Sequence, residues 1–233
     1  MTDYASIEGR LRERLGLNRR PVAVAFRDAV PPGVAKFTGS EPSGCSFWRL
    51  AMEGRAFYTV PADHYNCPVG SHTHSIPLPA ARAAELPQLL EIMTGLGYLT
   101  MEEVPGIPQL PRTPAAVVYA PLGDTPVDPD VVLFIGTPGR LMLLQEAALR
   151  AGVAPDVPLL GRPTCMALPA ALGGGAVAST GCIGNRVYTE LGDDELYFTI
   201  PGDRIGQVAE QIEVVLHANR ALQHYHEGRR ASL

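Results

Sequence analysis

The sequence has one lysine, Lys36, one tryptophan, Trp48, and four cysteines in 233 residues. Charged residues make up only 18% of the chain, and the net charge is −5. That balance gives no basic face of the kind nucleic-acid binding needs. No apolar run approaches the roughly 20 residues of a membrane span. The first stretch carries Asp3, Glu8, Arg10, Arg12, Glu13 and Arg14 and lacks the apolar core of a signal peptide. The expectation is a cytoplasmic protein with neither nucleic acid nor membrane as partner. Low charge leaves room for a homo-oligomer. Scarce lysine with abundant Ala, Gly and Pro reads as the product of a GC-rich bacterial genome. There is no C-x-x-C, which excludes the common zinc-ribbon and ferredoxin patterns. In a reducing compartment the four cysteines are expected to be thiols, metal ligands or redox groups rather than disulfides.

What is present is a paired cysteine pattern. Cys45 is followed nine residues later by Gly54-Arg55-Ala56, and Cys165 by Gly174-Gly175-Ala176. A strand-like run comes after each, Phe57 to Val60 and Val177 to Thr180. Each copy ends in a second cysteine in a glycine-containing turn, Cys67-Pro68-Val69-Gly70 and Cys182-Ile183-Gly184. The pattern predicts one domain of two related halves, about 5–103 and 115–225, joined by the proline-rich stretch 104–114.

Around this pattern the chain alternates strands and helices. Tyr4, Ile7, Leu11 and Leu15 predict a first helix closed by Gly16. Val22 to Phe26, Ala115 to Ala120 and Val131 to Gly136 are continuous apolar runs suited to strands buried on both faces. Residues 80–96 predict a helix broken or kinked at Pro87. A helix is expected from about Arg140 to Ala151. The Asp63 to Pro68 segment, and much of the chain from there to Pro79, reads as loop. Gly184-Asn185-Arg186 reads as a turn leading into a strand pair, and Glu195 to Ile200 alternates like a strand. A final helix over 203–224 carries Ile205, Val208, Ala209, Ile212 and Val215 on one face, with Asp203 as its cap and a frayed end beyond His226. The class is α/β: a buried mixed sheet built from the two halves, with helices packed outside.

Gly181-Cys182-x-Gly184-x-Arg186, continued by Tyr188 to Leu196 and Ile200-Pro201, resembles the C-terminal signature of the bacterial and archaeal "domain of unknown function 169" family. Pro21-Val22-Ala23-Val24, the isolated Cys45, Gly54, Cys67-Pro68-x-Gly70 and Pro129 to Val132 resemble the same family. The resemblance implies that all four cysteines occupy family positions. It implies no reaction. Ser71-His72-Thr73-His74 departs from the small apolar residues expected there.

These residues support three functional readings. In the first, Cys45, Cys67, Cys165 and Cys182 converge to hold an iron–sulfur cluster, or zinc, beside a pocket shaped by Gly70, Gly174, Gly184 and Arg186. Arg186 would grip an anionic small molecule there, or else pair with Asp193, Asp194 or Glu195. A local alternative gathers His64, Cys67, His72 and His74, with His72 and His74 aligned if that piece is extended. The second reading is a non-catalytic ligand-binding module whose cysteines only pack. The third is a metal-free thiol enzyme using Cys45 or Cys182, with Cys45 activated at a helix start.

Overall fold

The computed structural model describes residues 2–153 and 159–232. Its six strands are β1 (Val22–Arg27), β2 (Phe57–Thr59), β3 (Ala116–Pro121), β4 (Val131–Gly136), β5 (Val177–Ser179) and β6 (Leu196–Pro201). They form one sheet in the order β2-β3-β1-β4-β6-β5. Every named pair is antiparallel. Among the described residues, parallel pairing is confined to two isolated bridges, Lys36 to Tyr58 and Leu160 to Ser179.

The register repeats across the centre of the sheet. Val22 pairs with Pro121 as Val131 pairs with Pro201. Phe57 pairs with Tyr119 as Val177 pairs with Thr199. In the middle, Val22 faces Leu133 and Val24 faces Val131, so a pseudo-twofold axis passes between Ala23 and Val132. β3 therefore belongs with β1 and β2. The sequence placed it in the second half because the proline-rich stretch before it reads as a boundary. That stretch instead lies inside the connection from β2 to β3, which includes a 3-10 turn at Val104–Gly106.

The apolar strands build two cores because successive side chains point to opposite faces. On one face, Ala23, Val132, Phe134, Phe198 and Ile200 pack under three long helices: α1 (Tyr4–Leu15), α5 (Pro138–Arg150) and α8 (Ile205–Ala231). α1 closes as expected at Gly16, which takes a left-handed φ of 62°. On the other face, Val22, Val24, Val117, Val131 and Leu133 pack under short helices. These are α2 (Ser46–Met52), α3 (Pro68–Thr73), α6 (Ala167–Ala171) and α7 (Ile183–Thr189). A further helix, α4 (Glu85–Gly95), buries none of its residues.

Several local expectations are corrected. Pro87 lies in the first turn of α4, where a missing N–H is tolerated, so it breaks nothing. The segment after Cys67 is helical rather than loop, and Gly184-Asn185-Arg186 lies inside α7 rather than in a turn. α8 begins at Ile205, after a 3-10 turn at Gly202–Arg204, and stays helical to Ala231 rather than fraying at His226. Gly202 makes that turn possible: a Cβ there would stand 1.8 Å from the Pro129 carbonyl oxygen.

Candidate functional site

The short-helix face is where the cysteines lie. Each half supplies two, and each cysteine sits at the start of a short helical segment. Cys45 precedes α2, Cys67 precedes α3 and Cys182 precedes α7. Cys165 lies in the 3-10 turn Thr164–Met166 that leads into α6. Gly54 and Gly174 let the chain turn from these helices into β2 and β5, with φ of 105° and 98°.

The halves then interlock. α2 of the first half packs on α7 of the second, and α3 of the first packs on the Cys165 turn of the second. The four cysteines are thereby drawn together about the pseudo-twofold axis. Cys45 and Cys165 are equivalent and equally buried, each 7% exposed, while Cys67 and Cys182 are half-buried. Cys45 and Cys165 belong to the core cluster built on this face of the sheet. Every pair among the four is close enough for a charge on one thiol to disfavour a charge on another.

The electrostatics around the four cysteines oppose bare thiolates. Burial pushes the Cys45 thiol up to about 12, with smaller contributions from Cys67 and Cys182 and an opposing one from the Ser43 hydroxyl 3.3 Å away. This corrects the expectation of an activated Cys45: its short helix start is outweighed by desolvation. Burial likewise holds the Cys165 thiol well above its ordinary value, with Cys67, Cys45 and Cys182 adding to the effect. Cys67 is also raised by burial, but the backbone N–H groups of Gly44 and Gly70 partly offset it. The Gly70 N–H donates to the Cys67 sulfur at 3.2 Å. Gly70 must be glycine for that approach, since a Cβ would meet the sulfur at 2.9 Å. On the other side of the axis, the Cys182 N–H donates to Thr164 Oγ1 at 2.5 Å. In each half, then, the residue just before the first cysteine touches the second.

Polar groups with incomplete hydrogen bonding surround the thiols. The Asn185 amide lies against the Cys45 thiol and the Tyr197 hydroxyl, yet neither its oxygen nor its nitrogen completes a hydrogen bond. The Tyr119 hydroxyl is likewise buried without a partner, and its proton affinity is raised by burial and by Cys45, Cys165 and Cys67. Trp48 packs edge-on against Tyr197 with ring centroids 5.5 Å apart, and its indole N–H has no acceptor. Buried polar groups are seldom left so. The sequence singled out neither Tyr119 nor Asn185. Tyr119 sits within an apolar strand and Asn185 within an apparent turn, and only the pairing of the halves brings them to the cysteines.

The histidines divide. His64 and His74 are buried with ring centroids 5.6 Å apart. His64 Nε2 meets Thr59 Oγ1 at 2.8 Å, and His74 Nδ1 meets the Gly70 carbonyl at 2.9 Å. His64 Nδ1 and His74 Nε2 lack partners. His72 lies apart, in a shallow groove with Ile76, Pro77 and Leu86. The expected alignment of His72 with His74 fails because α3 is a helix, on which positions two apart diverge. Among the described residues, no three His, Cys, Asp or Glu side chains are placed to hold a metal ion in this conformation.

The Arg186 guanidinium is engaged by backbone carbonyls of its own surroundings. It donates to the carbonyls of Thr180 at 2.6 Å, Gly192 at 2.9 Å and Glu195 at 3.4 Å, with Asp193 3.7 Å away. It ties the loops around α7 together. Gly174 faces open space, and Gly184 meets only Tyr188 at ordinary contact distance, so neither is required by a close approach.

Among the described residues, no helix is long and apolar enough to cross a membrane. No solved structure matches the chain. The protein named "Uncharacterized protein MJ0308" from Methanocaldococcus jannaschii is 26% identical over 220 residues, covering 88% of this chain and 91% of that one. The family described as DUF169, Uncharacterised ArCR, matches residues 10–211, a span that takes in both halves, all four cysteines and the whole sheet. The chain belongs to the DUF169 family.

Proposed function

We propose that Cys45, Cys67, Cys165 and Cys182 hold a thiophilic metal centre, an iron–sulfur cluster first and zinc as the alternative. The observation that carries this reading is the gathering of four thiols, the chain's full complement, about the pseudo-twofold axis. Thiolates are the donor set for both centres. The Gly44 and Gly70 N–H groups at Cys67 are suited to stabilising a sulfur that bears charge. Neutral buried thiols must lose protons to become ligands, and a bound cation supplies the charge that offsets their burial.

A tetrahedral zinc ion with Zn–S near 2.3 Å holds its sulfurs within about 4 Å of one another. Among the described residues, no group of three His, Cys, Asp or Glu is placed to hold a metal ion, so either centre requires the thiol side chains to close in. A polynuclear cluster differs in that its cysteines bind separate iron atoms. A cluster would supply one-electron transfer. The chain's own residues would exclude water through the sheet face, donate N–H groups to Cys67, and set Asn185 and Tyr119 at the edge of the centre.

A second reading is favoured by the unpartnered Asn185 amide, Tyr119 hydroxyl and Trp48 indole. In it, these groups take a small polar molecule and the neutral thiols only pack beside it. Purification without oxygen, then metal analysis and an absorption spectrum, separates the two. Iron with inorganic sulfide, or stoichiometric zinc, that is lost in each Cys→Ser variant supports the metal centre. Metal-free protein that also fails to take up iron and sulfide on reconstitution rejects it.

A further inference from the structure

α8 is held by the body for only half its length. Ile205, Val208, Ala209, Ile212 and Val215 are buried, but every residue of 221–231 is exposed. Those eleven residues carry the helix about 16 Å beyond its packed part. Val214, Ala218, Ala221 and Tyr225 have the alternating four- and three-residue spacing of a coiled-coil seam. This line runs along the side of α8 opposite the buried stripe. Val214 is 47% exposed and Tyr225 56% exposed, and Leu222 flanks them at 57%.

Charge divides along the same helix. Residues 205–216 contain Glu210 and Glu213 and no Lys or Arg, although Glu213 also meets Arg14 at 2.6 Å. Residues 217–231 contain Arg220, Arg229 and Arg230 against a single Glu227. Side by side in parallel, two such helices would set like charges together. In the antiparallel sense the acidic half of one lies along the basic half of the other, and the helix dipoles also oppose.

We propose that the exposed seam of α8 docks a second copy of this chain, with the two helices antiparallel about a twofold axis. Val214 packs against the partner's Tyr225, and Ala218 packs against the partner's Ala221. The two alanines at the centre let the helix axes approach closely, and the larger residues close the ends. The contact is isologous and therefore stops at the dimer. One helix pair is smaller than the standard interface of about 1,600 Å², so association in the micromolar range is expected.

Sedimentation equilibrium of the full chain in reductant tests this. The wild type should rise with concentration from 24.9 kDa toward twice that mass. Ala221→Glu, which keeps an exposed helix former, should weaken association at least about 10-fold with unchanged helical circular dichroism. Gln223→Glu, off the seam, should not. For orientation, Val214→Cys and Tyr225→Cys proteins are mixed and oxidised. A mixed cross-link is expected, because in the antiparallel pair like positions stand about 16 Å apart along the axis. Monomer at every concentration up to about 200 μM overturns the proposal. So does a dimer indifferent to Ala221→Glu, or a Val214→Cys protein that cross-links to itself in preference to the Tyr225→Cys protein.

Discussion

Acidification should destabilise this protein through His64 and His74, beginning well above the pH at which carboxylates protonate. Both rings are buried and lie with centroids 5.6 Å apart. Burial lowers His64 to about 3, with the neighbouring His74 adding to the effect, and lowers His74 to about 4. An unfolded histidine titrates near 6.5. The folded values lie below the unfolded ones, so the unfolded chain takes up protons first. Stability is complete above about pH 7.5, declines as pH falls through 6.5, and keeps declining toward pH 4. Linkage at pH 5 gives a loss of about 2 kcal/mol per ring, or about 4 kcal/mol for the pair. That is a large part of a typical 5–15 kcal/mol. Guanidinium unfolding of the reduced, metal-free protein at pH 7.5 and pH 5 measures it. His74→Gln, though less stable at pH 7.5, should lose only about half as much on acidification. Equal stability at the two pH values, or the same decline in the variant, would refute the argument that these rings are held neutral by burial.

The geometry sets four further outcomes. Gly202→Ala should destabilise by several kcal/mol, because its Cβ has 1.8 Å to a backbone oxygen that cannot swing away; thermal unfolding reads this. Glu8, 4% exposed, accepts from Arg20 at 2.6 and 3.1 Å and from the Gly123 N–H at 2.6 Å; Arg20 keeps Asp124 at 2.7 Å, so Glu8→Ala should cost about 1–3 kcal/mol in chemical denaturation. In metal-free protein at pH 8, alkylation and mass spectrometry should find Cys45 and Cys165 protected until denaturant is added; rapid modification of native Cys45 would contradict its burial and raised thiol. Gly70→Ala pushes the Cys67 sulfur from its place and should lower metal retention more than it lowers melting temperature, which parallel metal analysis and calorimetry would show.

Much of the sheet was legible in the sequence. The apolar runs at Val22, Ala116 and Val131 are strands because both their faces are buried. The matched spacing from cysteine to glycine to short strand was legible too, since Cys45 and Phe57 stand apart by the same distance as Cys165 and Val177. The second cysteine of each half was harder. Cys67 and Cys182 lie among Pro, Gly, Ser and Asn, residues that signal turns, yet α3 and α7 form there because packing across the halves stabilises such short helices. That same packing puts Asn185 and Tyr119 beside the thiols, and no local pattern announces it. Arg186 looked like a ligand anchor because a guanidinium beside glycines suits an anion. Its carbonyl partners, from Thr180 to Glu195, become visible only once α7 closes on its flanking loops. The pH response of His64 and His74 was hidden for a similar reason, as burial is decided by the whole fold.

X-ray absorption at the metal edge, on protein reconstituted without oxygen with iron and sulfide and separately with zinc, tests the four-cysteine centre most directly. The account predicts a sulfur shell near 2.3 Å, with an added iron–iron distance in the iron sample and four sulfurs around zinc if the side chains close. Both should be lost when Cys45 or Cys165 is replaced by serine. A first shell of nitrogen and oxygen in both samples, or sulfur coordination that survives those replacements, would contradict it.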